Sequence, residues 1–374
     1  MRVLLIALLL LLLAACGRTE PPAETPRESP AESPTGPAAQ EPPPPASEAD
    51  KPPRARRSTP ADEQGLDLAL TEFEGEKVEK IETSWPDGKK QRIAWVIRQK
   101  SGRTTDHGPD WRWYANGQFE LKRVWNKGRQ HGPFASWFEG GFQAAQGAFV
   151  EDERDGPWLT WHENGEVRSE ETWKKGKLDG RERVWYESGR LKAEKWWKDG
   201  RQDGPELFWS GEGEPLIQGA YVDGKRHGEW NEWTLDRKLK VHGFYAGGLE
   251  VGEWMRLDNQ LRRTEETYAE GRLEGPSRLY SQDGVLLKES PFVAGKEQGL
   301  ERTWWPSGKL LSEIQYEAGE RHGQARYYFE SGGVQIEGEM VHGKREGTWT
   351  YRLEDGTVDP QWTGRYENDK KVGP

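Results

Sequence analysis

From about residue 64 onward the apolar positions come as short runs of aromatic and β-branched residues separated by charged ones, with no 3.6-residue period. The stretch 156–175 shows the plan: Gly-Pro-Trp-Leu-Thr-Trp, a break at His-Glu-Asn-Gly, then Glu-Val-Arg-Ser-Glu-Glu-Thr-Trp-Lys-Lys. Two strands flanking Asn164-Gly165 read as a β-hairpin, and the dipeptide predicts a type I′ turn with positive φ at both central residues. The same slot holds Asn116-Gly117, Ser188-Gly189, Asp283-Gly284, Ser307-Gly308, Ser331-Gly332 and Asp355-Gly356. A second turn is bracketed by glycines four apart, as in Gly176 and Gly180, Gly200 and Gly204, Gly224 and Gly228, Gly319 and Gly323. It predicts a tight loop that returns the chain for the next hairpin.

The unit recurs. A glycine stands every 24 residues at Gly108, Gly132, Gly156, Gly180, Gly204, Gly228 and Gly252, and resumes after one deletion at Gly275, Gly299, Gly323 and Gly347, with a looser copy at Gly373. A fixed period of this length means one small unit stacked many times, each burying its neighbours. The expected fold is all-β: an elongated single-layer antiparallel sheet of about twelve tandem 24-residue β-hairpin repeats. The array proper spans 108–374, and a degenerate first hairpin lies in 64–107 around Trp85 and Asp87-Gly88. Leu235-Asp236-Arg237 and Asp258-Asn259 lack the turn glycine, and Gly211-Glu212-Gly213 reads as a bulge.

Two aromatic columns run through the units. Five residues after the periodic glycine stand Trp113, Trp137, Trp161, Trp185, Trp209 and Trp233; seventeen after it stand Trp125, Phe149, Trp173, Trp197, Tyr221 and Tyr245. Only 33% of residues are hydrophobic, which excludes a two-layer core and leaves burial to the 20 tryptophans and to long Lys, Arg and Glu stems.

The first residues carry an address. Arg2 precedes an eleven-residue apolar run, Val3 to Leu13, too short to span a bilayer and suited to a signal peptide over 1–15. Leu13-Ala14-Ala15-Cys16 resembles the lipobox of bacterial lipoproteins. The resemblance implies cleavage before Cys16, the only cysteine, and acylation of its sulfur, so that the lipid bilayer is a partner. Gly17 after the cysteine implies outer-membrane sorting in a cell with two membranes, on the periplasmic side or at the surface. Residues 16–63 read as the lipidated cysteine and a disordered tether, because thirteen of the 24 prolines fall there among Glu, Ala, Ser and Thr. The basic cluster Lys51, Arg54, Arg56 and Arg57 reads as solvated linker charge, with contact to an anionic lipid or polymer as the alternative.

Candidate chemistry is sparse. His107, His131, His227 and His322 share the slot before the periodic glycine, but column neighbours about 10 Å apart cannot close on one ion, so no metal site is expected. Glu170, Glu194, Glu265, Glu289, Glu313 and Glu337 form a row expected to pair with Lys and Arg on neighbouring strands rather than to act as an acid–base pair. No catalytic residues and no cofactor are expected, and the chain reads as a non-enzyme. A net charge of −10 disfavours a nucleic-acid partner.

The repeated Gly-Lys-x-[His/Asp]-Gly-[Pro/Glu], the following aromatic pair, the x-Gly turn and the Leu-x-x-Glu-x-x-Tyr segment resemble the bacterial variant of the MORN repeat, clearest over Gly176 to Trp197 and Gly295 to Tyr316. The resemblance implies a long single-layer sheet that mediates protein–protein or membrane association. The expected function is a membrane-anchored scaffolding lipoprotein that binds an envelope protein. A glycan- or peptidoglycan-binding lipoprotein using the aromatic columns is the alternative, and an antitoxin-like relative the third reading. The most regular repeats place the candidate binding face at Trp161, Trp185 and Trp209 with Glu170 and Glu194.

Overall fold

A computed structural model describes residues 51–58 and 69–374, all within the compact unit Glu41–Pro374. The signal run, Cys16 and the tether as far as residue 50 lie outside the described residues. Among the described residues every regular element is a strand. From Glu79–Ser84 to Lys370–Gly373 each long strand pairs antiparallel with the long strands before and after it, and no pairing joins those two ends. The sheet is therefore open and one layer thick, the repeat fold that the periodicity predicts. A two-stranded hairpin, Glu72–Phe73 with Glu76–Lys77, precedes it.

The two turns exchange the roles assigned to them by sequence. At Asn164-Gly165 only the glycine has positive φ, 84°. His162 N–H donates to Glu166 O and Gly165 N–H to His162 O, the pattern of a type I turn closed by one left-handed glycine. Asn164 is there for its side chain: Oδ1 accepts Glu166 N–H at 2.9 Å, and the amide donates at 2.8 Å to Glu187 O of the next unit. Type I′ geometry falls on the second turn, where Lys175 and Gly176 have φ of 49° and 70°. Gly180 consequently lies inside the sheet. The chain pairs back at Trp173↔Leu178, gains two residues, and resumes at Glu170↔Arg183. The turns without glycine keep the same geometry, with Arg237 at 64° and Leu261 at 57°, braced by Thr234 and Asp258 side chains that accept backbone N–H groups. Gly211-Glu212-Gly213 forms the standard turn, not a bulge, with Gly213 N–H on Ser210 O.

The register separates the two aromatic columns. Facing residues share a side of the sheet and successive residues alternate. Gly156↔Trp173 and Thr160↔Ser169 lie on one side, and Trp161, after a one-residue slip opposite Val167, lies on the other. On the Trp161 side the residue opposite each tryptophan wedges between successive rings, as Phe119 does at 5.1 Å from Trp113 and 5.5 Å from Trp137. Val167 and Leu191 fill the same place between Trp161, Trp185 and Trp209.

The other side holds a third set of rings that the column analysis missed: Trp158, Trp230, Trp254 and Trp349, all almost fully buried. Each lies flat on a glycine eleven residues earlier, on the neighbouring strand. A Cβ built on Gly147 would sit 1.9 Å from Trp158 Cε3; on Gly219, Gly243 and Gly338 the nearest atoms of Trp230, Trp254 and Trp349 would be 2.1, 2.1 and 2.3 Å away. Where the first position carries a side chain, the second is not tryptophan: Lys195 precedes Glu206, Ser290 precedes Glu301, and Ile314 precedes Ala325. Arginine stems cover the rings, with the Arg226 guanidinium 4.0 Å over Trp230 and that of Arg256 4.4 Å over Trp254.

These notches give a direct test. Gly219→Ala should destabilise by about 1–3 kcal/mol through overpacking. Gly211→Ala, at a site with open space, should be near neutral. In a Trp230→Ala background the Gly219→Ala cost should vanish. Urea unfolding of the four variants checks this coupling, and additive losses would contradict it.

Candidate functional site

Four of the five residues singled out as a binding face are core, and Glu170 is half-buried. Trp161, Trp185 and Trp209 are 4%, 4% and 2% exposed. Arg183, itself buried, donates from Nε to Glu170 Oε2 at 2.8 Å and faces Glu194 directly across the strand pair. Glu194 is buried as well. The carboxylate row therefore closes onto an arginine row, repeated at Arg278–Glu289 (2.7 Å) and Arg302–Glu313 (3.0 Å). The expectation of a salt-bridged row holds, while an open face at Trp161, Trp185, Trp209 and Glu194 does not. A sheet of one layer can bury large rings only against the next repeat, so its most regular aromatic column becomes its interior.

Both edges of the sheet are ladders between units. At the first-turn edge Tyr114, His162 and Tyr186 reach the backbone carbonyls of Trp137, Trp185 and Trp209 at 3.0, 3.1 and 2.9 Å. At the second-turn edge the residue before the periodic glycine accepts a backbone N–H: Asp155 from Lys175, Asp179 from Asp199 and Asp203 from Asp223, at 3.0–3.1 Å. His107 takes this role through Nδ1, which accepts Lys127 N–H at 3.1 Å, while Nε2 bonds Phe73 O at 2.9 Å. The histidine column is thus a turn device at His107. Among the described residues no three His, Cys, Asp or Glu side chains converge in a way that could hold a metal ion.

Three features remain at the surface. Residues 51–58, assigned by composition to the tether, lie along the first-turn edge: Ala55 N–H donates to Gly165 O, Ser58 N–H to Gly141 O, and Gln143 N–H to Arg56 O. Beside this segment a groove of about 400 Å³ is lined by Arg56, Trp111, Lys122, Trp137, Gln143 and Gln146. Lys122 Nζ lies 4.1 Å from the Trp111 centroid, and Gln143 donates to Gln146 at 3.0 Å. On the far margin of the sheet, exposed apolar residues stand at Val150, Val222 and Val293, three units apart in one slot, and at Phe244 and Leu249.

One buried carboxylate stands apart. Asp110 is fully buried and accepts from Arg92 Nε at 2.8 Å, Arg123 Nε at 3.0 Å and Trp125 Nε1 at 3.2 Å. Burial works against its ionisation, but hydrogen bonds from Arg92 and Trp125 and the charges of Arg92 and Arg112 outweigh it and hold the carboxyl below its ordinary value. Its oxygens are saturated with donors, so it is a structural pin and not a general base.

Three segments, 154–175, 297–318 and 321–342, match the family model described as MORN repeat variant. No curated protein matches the chain. Among solved structures, the complex described as TcdB2-TccC3-Cdc42 aligns at 10% identity over 78% of this chain and 17% of that one, with a TM-score of 0.14. The Photorhabdus luminescens Tc holotoxin pore aligns at 10% identity over 78% of this chain and 19% of that one, with a TM-score of 0.16. The chain thus spans less than a fifth of the length of either protein.

Asp110→Asn should cost about 3–5 kcal/mol at pH 7 by leaving Arg92 and Arg123 without their shared anion. The folded-state pKa is depressed, so the stabilisation is complete above the unfolded carboxyl value near 3.9 and is lost as pH falls through the folded value. Denaturant midpoints of wild type and variant should therefore start to approach one another as pH falls below about 4, and meet only once pH is below the depressed folded value. A gap independent of pH would contradict the assignment.

Proposed function

We propose that this protein is a non-enzymatic, lipid-anchored repeat lipoprotein of the cell envelope that captures a protein partner on its sheet. The MORN-variant segments support a binding module, because such repeats are often protein- or membrane-binding. The observation that carries the reading is the exposed apolar margin, where Val222, Phe244 and Leu249 are 49%, 40% and 52% exposed in neighbouring units. Recurring exposed apolar residues on an otherwise charged surface suit a protein contact. The anchor is Cys16, on the strength of Leu-Ala-Ala-Cys after the apolar run.

A glycan-binding reading has one observation in its favour, the groove that combines the Trp111 and Trp137 rings with Gln143, Gln146 and Lys122 and has no carboxylate in its lining. An antitoxin-like role has none.

Cys16→Ser should move the protein from the membrane to the soluble fraction; unchanged retention would defeat the anchor. In envelope pulldowns, Val222→Glu with Phe244→Glu should abolish recovery of the partner while shifting unfolding by no more than about 0.5 kcal/mol, as expected for surface positions. Retention on purified peptidoglycan, lost in Trp111→Ala, would favour the glycan reading instead. Turnover of an envelope polymer that a Glu substitution abolishes would overturn the non-enzyme reading.

A further inference from the structure

Residues 51–58 read Lys-Pro-Pro-Arg-Ala-Arg-Arg-Ser, and their contacts repeat every three residues. Ala55 and Ser58 donate their backbone N–H groups to Gly165 O and Gly141 O, equivalent turn positions one repeat apart. The carbonyls of Pro53 and Arg56 accept from Trp161 Nε1 at 3.1 Å and from Gln143 N–H at 3.1 Å. Lys51, Arg54 and Arg57 form the third row: Lys51 and Arg54 pair with Glu166 at 2.7 and 2.8 Å, and the Arg57 guanidinium lies 4.6 Å over the Phe142 ring.

This commensurability has a geometric cause. Three residues of polyproline-type chain advance about 9.3 Å. One hairpin advances the sheet by two strands, about 9.6 Å. An extended peptide laid across the turns therefore meets an equivalent turn every third residue, and Pro52-Pro53 favours that conformation. The inward residue must be small. Ala55 is 9% exposed, joins the cluster of Trp161 and Val167, and sits opposite Gly165 beside Phe142. The strip supplies the complementary charge through Glu166 and backbone acceptors through Asn164 O and the turn glycines.

We propose that the first-turn row from Gly141 to Gly189 is a docking strip for extended basic peptides with a small residue at every third position, and that the chain's own Lys51–Ser58 is its resident, which a partner segment of the same chemistry must displace. The proposal rests on the protein-binding reading above and names a partner chemistry for it. Displacement would also uncover the groove, since Arg56 forms part of its wall. Only ten residues separate Ser58 from Ala69, so the resident competes at an effective concentration on the order of millimolar.

The test uses full-length protein and a fluorescent peptide of sequence Lys-Pro-Pro-Arg-Ala-Arg-Arg-Ser. Ala55→Arg in the protein should eject the resident, because no space exists for a long side chain against Gly165. Trypsin should then cut after Arg54, Arg56 and Arg57 at least tenfold faster than in wild type. Peptide anisotropy should show at least tenfold tighter binding to Ala55→Arg than to wild type. Adding Glu166→Lys should remove most of that gain, and a peptide with Arg in place of its Ala should not bind. Equal trypsin rates would show that the segment is not docked and overturn the proposal. Equal peptide affinity for wild type and Ala55→Arg, or equal binding of the Arg-substituted peptide, would overturn the gated strip. Peptide binding as expected with no partner in envelope pulldowns would refute the envelope function alone and leave the strip standing.

Discussion

In a sheet one layer thick, a large side chain can be buried only by the repeats on either side of it. There is no second layer to lean on. Most of the local structure follows from this constraint. Trp230 lies on the bare backbone of Gly219 because nothing else is available to cover that face of its ring. Phe119 wedges between Trp113 and Trp137 for the same reason on the opposite side. Arginine stems supply what aliphatic residues do elsewhere, as Arg226 does over Trp230. Between units, the Asn164 amide and the Asp179 carboxylate stitch the two turn rows, and Lys51–Ser58 adds a strap along part of the first.

A second consequence is that the core is divided. Buried residues form separate clusters, around Trp95 and Trp113, around Trp161 and Trp185, and around Tyr316 and Trp349. Stability in such an array is a sum of local terms and nearest-neighbour interfaces. The same logic moves function away from the aromatic columns. Rings that hold the array together are not free to hold a ligand, so recognition falls to the margin around Val222 and Phe244, to the groove beside Trp111, and to the turn row on which Lys51–Ser58 lies.

The hairpin period, the antiparallel single layer and the aromatic columns were legible because glycine spacing and alternation report directly on strand and turn. The turn types were not. Asn-Gly is a type I′ signal only where both residues take positive φ, and in this chain the tertiary bond from Asn164 to Glu187 O favours a type I turn closed by glycine. The sheet face of each column was hidden by the one-residue slip at each fifth-position tryptophan and by the two residues gained near the periodic glycine, both invisible to simple counting. The buried column at Trp158, Trp230, Trp254 and Trp349 was recoverable from the glycine eleven residues before each ring, a pairing that becomes meaningful only once the register is known. The docking of Lys51–Ser58 had no sequence signal beyond its positive charge opposite Glu166, because composition alone assigns such a segment to a linker.

Native-state hydrogen exchange on wild type and Trp185→Ala tests the central claim, that each repeat is held by local contacts and not by one global core. The account predicts that opening free energies fall in Gly180–Trp185 and in the flanking strands Val167–Lys174, Leu191–Lys198 and Arg201–Trp209, while Lys344–Tyr351 keeps its wild-type protection. An equal loss of protection in every strand would show a single global core and contradict the account.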